Sequence, residues 1–190
     1  NVAADPLFTL SYTGVNGGLV LVTADDPEMH SSQDEQDNRH YARFAKVPML
    51  EPSDSAECKA FTRLAFELSE KYDAPVMLRT TTRISHGKSM VELSERANDL
   101  PQPGLVRNAA KQVMLPGNAK VRHPLVEQRM LQLSADGAAM EINRLEMRGT
   151  GIGIITSGAC YQYVREVLPE ASTLKLGMVN PLPEVLIRQF

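Results

Sequence analysis

Two polar clusters, each following a short apolar run, hold most of the side chains that could do chemistry. The first is Asp25-Asp26-Pro27-Glu28-Met29-His30-Ser31-Ser32-Gln33-Asp34-Glu35-Gln36-Asp37-Asn38. His30, Ser31 and Ser32 are its candidates for hydrogen bonding or proton transfer near a reacting centre. Gln33 and Gln36 are candidates for substrate or interdomain contact. The second cluster is Arg79-Thr80-Thr81-Thr82-Arg83-Ile84-Ser85-His86-Gly87. A cation, hydroxyls and an imidazole suit a carboxylate or phosphate, and Arg83, Ser85 and His86 are the candidates there. Plainer readings stand beside both. The first cluster can be a solvated loop with a helix cap at Ser31 or Ser32. The second can be a loop bonded to its own backbone. Asp25, Asp26 and His30 lack a spacing diagnostic of a metal site.

Two glycine features are weaker. Gly149-x-Gly151-x-Gly153 resembles a nucleotide fingerprint, but it precedes a strand instead of following one, so it reads as structural. Ser157-Gly158 lies between a strand and a helix, where backbone N–H groups could hold an anion or glycine could simply permit a tight turn.

Several elements must position these residues. Residues 3–13 read as a helix with Leu7, Leu10 and Ser11 on one side. Leu19 to Val22 is a continuous apolar run that suits a strand buried on both faces. The segment from Ser31 to about Phe44 is helix-compatible, and Val47 to Leu50 reads as a second strand. Glu51-Pro52-Ser53-Asp54 is a helix start, followed by an apolar stripe of Cys58, Phe61, Leu64, Ala65 and Leu68. Pro75 to Thr81 is a third strand, completing the grammar of a parallel α/β sheet. Residues 94–123 have linker composition. A helix is expected from Leu125 to Ile142, with Gly137 weakening its middle. Then Ile152–Thr156, Ala159–Leu168 and Leu174–Met178 read as strand, helix and strand, and Pro181-Leu182-Pro183-Glu184 opens another helix.

Composition narrows the class. The chain has 190 residues, 43% hydrophobic and 23% charged, with a formal net charge of -3. This is globular composition with no basic excess, which argues against a nucleic-acid partner. No apolar run approaches the roughly 20 residues of a membrane span. Cys58 and Cys160 are far apart and form no cysteine motif, so a reducing cytoplasm is the expected compartment. The missing initiator Met and the apolar Val185, Leu186, Phe190 pattern at the end give the expectation of an internal fragment.

The stretch from Gly18 to Arg39 closely resembles the indolepyruvate ferredoxin oxidoreductase alpha subunit, departing from it at Glu28 and Asp34. Further matches are Leu50-Glu51-Pro52-Ser53-Asp54, Leu78 to His86, Ile155-Thr156-Ser157-Gly158 with Tyr161-Gln162-Tyr163-Val164, and Leu176-Gly177-Met178 before Pro181-Leu182-Pro183-Glu184. They run in order along nearly the whole chain.

The resemblance implies a thiamine-diphosphate-dependent 2-oxoacid:ferredoxin oxidoreductase. Residues 1–92 would be the later part of the pyrimidine-binding thiamine diphosphate domain. Residues 93–147 would be a linker with a helix, and 148–190 the start of a transketolase C-terminal-like domain. The substrate would be an arylpyruvate, oxidised to arylacetyl-CoA with coenzyme A as acyl acceptor and ferredoxin as electron acceptor. A second oxidoreductase subunit would be the partner. The glutamate that activates the cofactor would lie before Asn1. Mg2+ and the [4Fe-4S] clusters would be bound outside this span. Pyruvate, 2-oxoglutarate and branched-chain 2-oxoacids are the rival substrates, and a non-catalytic α/β binding module is the rival class.

Overall fold

The computed structural model describes residues 2–96, 104, 106–149 and 151–190. The first sheet contains β1 (Val20–Asp25), β2 (Met49–Leu50), β3 (Val76–Thr81) and β7 (Met178–Asn180) in the order β1-β3-β2-β7. The first three strands are parallel and β7 is antiparallel to β2. Alternation along β3 divides its side chains between two layers, as a period of two requires. Val76 and Leu78 face α3 (Ser55–Tyr72), packing with Phe61, Ala65 and Leu68, while Met77 faces α1 (Ala4–Thr13) and α2 (Arg39–Ala45), packing with Leu7, Ala42 and Ala45. Both faces of β3 are covered, which is why it reads as an unbroken apolar run. β1 departs from the expected strand buried on both faces: it is the edge strand of this sheet, and Val22 is 61% exposed.

Helix α3 starts where its sequence says it should. Asp54 accepts a hydrogen bond from the Glu57 N–H at 2.8 Å, and Glu57 reaches back to accept from the Ser53 N–H at 2.8 Å. The first-turn donors are thus satisfied by side chains from both directions.

The second sheet is β4 (Arg144–Glu146), β5 (Gly153–Ser157) and β6 (Ser172–Leu176) in the order β4-β6-β5. β5 and β6 are parallel, joined through α7 (Gly158–Val167), and β4 is antiparallel to β6. The expected strand from Leu174 to Met178 is broken in two at Gly177. Its N–H and that of Met178 both donate to Asn143 Oδ1, at 2.9 and 3.0 Å, and a Cβ there would lie 2.5 Å from the Ile142 carbonyl. A residue without a side chain lets the chain leave the second sheet and enter the first as β7. β4 has no counterpart in the sequence reading, because three residues are too few to show a period.

The linker region also differs from expectation. After the short α5 (Ala109–Gln112), α6 spans Pro116–Gly137, nine residues ahead of the expected start, and ends at Gly137 instead of continuing to Ile142. Its basic residues explain why it packs. Arg129, buried, donates to the carbonyls of Ser11, Lys46 and Asp73 at 3.0, 3.2 and 3.0 Å. These lie at the C-terminal ends of α1, α2 and α3, where carbonyls lack helical partners and a cation is favoured. Burial pushes the Arg129 guanidinium down to about 10. A linker-like composition therefore conceals a clasp over three helix ends. The final helix, α8, is Glu184–Gln189.

Candidate functional site

The carboxyl ends of β1, β2 and β3 converge on a buried ion network. Arg79 is the central cation: Nε donates to Asp25 Oδ2 and Nη1 to Glu51 Oε1, each at 2.5 Å. The three side chains are 4%, 0% and 6% exposed, so these charges rely on each other, on the Asp37 carboxylate 3.9 Å from Arg79 Nε, and on their hydrogen bonds for solvation. Asp25 also accepts from the Asn38 N–H at 2.9 Å and from its side-chain amide. Glu51 accepts from Ser157 Oγ at 3.2 Å, across the junction with the second sheet. Gly158 makes that approach possible. Its φ is +54°, and a Cβ would lie 2.6 Å from Glu51 Oε1.

The first polar cluster is pinned to this base at two points. Asp26 accepts from Thr82 Oγ1 at 2.5 Å and from the Ser31 and Ser32 N–H groups at 2.8 Å each. The Thr82 hydroxyl, then the two amides, hold the Asp26 carboxyl well below the usual carboxylate range. At the far end Arg39 grips Asp37 through Nε at 2.8 Å and Nη2 at 2.6 Å. That hydrogen bonding, opposed by burial, brings Asp37 down to about 2. Residues 31–38 form no helix, and the helix expected from Ser31 begins only at Arg39. The carboxylates of Asp25 and Asp26 pin the loop at Ser31, Ser32 and Asn38 instead.

A cleft of about 470 Å³ opens above the network. His30, Arg39 and Arg83 line one side, and Thr156, Cys160 and Tyr163 the other. A neighbouring cleft of about 240 Å³ shares Arg83, Ala159 and Tyr163 with it. Arg83 is exposed on the short helix α4 (Thr82–His86), and its guanidinium has no ion-pair partner among the described residues. It is thus free for an anion at the carboxyl end of a parallel sheet, the usual location for a ligand in such folds.

No protein-family model matches the chain. Among characterised proteins, the indolepyruvate oxidoreductase subunit IorA of Methanothermobacter thermautotrophicus is 44% identical to it, and that of Archaeoglobus fulgidus 42%. The IorA of Pyrococcus horikoshii is 39% identical. Each alignment covers 100% of this chain. The match to IorA runs the whole length of the sequence. The chain spans about a third of the length of these relatives, 31–32%. Its fold is similar to a solved structure, the 2-oxoglutarate:ferredoxin oxidoreductase from Magnetococcus marinus with 2-oxoglutarate, coenzyme A and succinyl-CoA bound. The TM-score is 0.68 at 15% identity, over 100% of this chain and 42% of that one. The α/β architecture with mixed sheets is therefore shared with that enzyme.

The structure brings some residues of the IorA-like motifs together and separates others. His30 and Arg83 line the same cleft. His30 Nε2 lies 3.8 Å from Glu28 Oε2. Ser31 and Ser32 contribute their backbone amides to Asp26. Gln33 is exposed on the loop. Gln36 lines a different cleft, of about 510 Å³, beside Thr23 and Tyr41. Ser85 Oγ is 3.2 Å from Thr80 Oγ1, which ties the second cluster to β3. His86 is exposed at the end of α4 and lines none of these three clefts. At Ser157-Gly158 the structure shows a close approach to a carboxylate, and Gly149-x-Gly151 simply leads into β5.

The sequence reading missed Asp25, Glu51 and Arg79 as a unit, and it missed the contribution of Arg39, Cys160 and Tyr163 to the cleft. One signal was present. A charged residue stands at the end of β1, just after β2 and within β3, and burial of such a residue demands a partner of opposite sign.

Proposed function

We propose that this chain is a portion of an IorA-type subunit that oxidatively decarboxylates indolepyruvate and other arylpyruvates. An arylpyruvate, coenzyme A and oxidised ferredoxin would give arylacetyl-CoA, carbon dioxide, a proton and reduced ferredoxin, two electrons leaving per turnover. The observation that carries this reading is the 39–44% identity to IorA along the entire chain. The cleft supports it. Arg83 offers a free guanidinium for the 2-oxoacid carboxylate, and His30 stands on the same wall as a group able to exchange protons.

The reaction class requires thiamine diphosphate, Mg2+ and [4Fe-4S] clusters, and the residues described do not fit the last two. No group of three or more His, Cys, Asp or Glu side chains among them could hold a metal, and two free thiols, Cys58 and Cys160, cannot make a four-cysteine cluster set. These groups would be held by the remaining two-thirds of an IorA-length protein. Here the chain's own part is the wall that binds and orients substrate. No helix among the described residues is long and apolar enough to cross a membrane, and the two free thiols suit a reducing cytoplasm.

The test is anaerobic turnover by the full-length subunit assembled with its partner, comparing indolepyruvate, phenylpyruvate, pyruvate and 2-oxoglutarate side by side. Preference for the two aryl substrates is expected. Preference for pyruvate or 2-oxoglutarate would overturn the assignment. Arg83→Ala should raise KM for the preferred 2-oxoacid at least tenfold, as loss of a charge-assisted contact of about 1.5–3 kcal/mol requires. Unchanged turnover in His30→Ala or Ser31→Ala would reduce those residues to ordinary loop positions.

A further inference from the structure

The two clefts meet at one aromatic ring. Arg83, Ala159 and Tyr163 are common to both, and Tyr163 is the one Phe, Tyr or Trp side chain lining either. The residue is 53% exposed. Most other rings of this aromatic-poor chain are engaged. Phe8 meets Phe44 edge-on, Tyr12 stacks on His123, and the hydroxyls of Tyr72 and Tyr161 donate to Asp136 and Glu146. Tyr163 has neither a ring partner nor a hydroxyl partner among the described residues. An unpartnered ring at the meeting of two clefts, beside an unpaired cation, is poised for a ligand that carries both an aryl group and an acid.

The helix that carries the ring is anchored. Ser157, immediately before α7, donates to Glu51, and Gln162, adjacent to Tyr163, donates to Asp54 Oδ2 at 3.1 Å. These contacts tie the first two turns of α7 to Glu51 of the network and to the N-cap of α3. Ala159 lies one turn before Tyr163 on the same face of α7, because residues four apart in a helix are neighbours. A methyl group there, beside a phenol ring, leaves a slot in which a second ring can lie against the first.

We propose that Tyr163 is the specificity-determining residue of this cleft, stacking on the aryl side chain of the 2-oxoacid whose carboxylate pairs with Arg83. This inference rests on the functional reading above and deepens it: selection for aryl substrates would come from the second sheet's helix, while charge recognition comes from the first sheet. An aromatic pair contributes about 0.5–1.5 kcal/mol, which converts to roughly a 2- to 13-fold effect on kcat/KM.

The experiment uses the full-length subunit assembled with its partner and measures kcat/KM for phenylpyruvate and pyruvate in the wild type, Tyr163→Ala and Tyr163→Phe. The phenylpyruvate-to-pyruvate ratio should fall about 2- to 13-fold in Tyr163→Ala and hold in Tyr163→Phe, which keeps the ring. An unchanged ratio in Tyr163→Ala overturns the proposal, as does an equal decline on both substrates, the mark of a merely structural residue. If the wild type turns over pyruvate but neither aryl substrate, the functional reading itself fails, and this inference with it.

Discussion

Replacing Arg79 by Leu isolates what the buried network contributes. The substitution removes the one cation that reaches both Asp25 and Glu51 at 2.5 Å. With an effective dielectric of about 20, each contact at that distance corresponds to an attraction of about 6–7 kcal/mol. The cost of stripping water from three charges cancels much of this, and removing one partner of a buried pair typically costs about 3–5 kcal/mol. Two carboxylates would be orphaned here, so the upper part of that range is expected, against a typical domain stability of about 5–15 kcal/mol. Urea unfolding followed by far-UV circular dichroism reads the change as a fall in midpoint. The mechanism has its own control, because Arg79→Leu combined with Asp25→Asn and Glu51→Gln removes the orphaned charges and should recover part of the loss. A decline below about 1 kcal/mol in Arg79→Leu, or a triple variant no more stable than the single one, would refute the claim that uncompensated buried charge is the cause.

Three further outcomes follow from the geometry. Arg129→Met should cost about 3 kcal/mol or more by leaving the carbonyls of Ser11, Lys46 and Asp73 without their shared donor; the same unfolding assay checks it, and amide exchange should rise first along α6. Gly158→Ala places a side chain in the left-handed region at a cost of about 1–2 kcal/mol and sets its Cβ 2.6 Å from Glu51 Oε1, so a fall in Tm is expected where Ala elsewhere in α7 would be neutral. Asp37 titrates at about 2 because Arg39 holds its charged form. A depressed native value means this contribution is fully present above about pH 4, the ordinary carboxylate range, and is lost as pH falls towards 2. In Arg39→Ala the Asp37 carboxyl should return towards its ordinary value, and carboxyl carbon shifts followed by NMR against pH would show whether it does.

Much of this protein is legible as local pattern. Val20 to Val22 and Val76 to Leu78 are both strands, as their apolar runs suggest, though only the second is covered on both faces and Val22 stands exposed on the edge strand. Helix α3 is visible from Asp54 and Glu57, which satisfy its first turn, and from the stripe through Phe61, Ala65 and Leu68. The IorA resemblance is likewise carried by the order of residues, and the cleft residues His30 and Arg83 were marked by their place after strands. Tertiary structure alone decided which charges meet. Arg79 is 54 residues from Asp25 and 28 from Glu51, and their pairing follows from the strand order β1-β3-β2, which no local period encodes. The same holds for the break at Gly177, where a neighbouring carbonyl excludes a side chain, and for Arg129, whose three acceptors lie on three different helices. It holds also for Tyr163, which reads in sequence as one more aromatic on an amphipathic helix. Periodicity reports which face of an element is buried, whereas the partner across that face is set by how the elements pack.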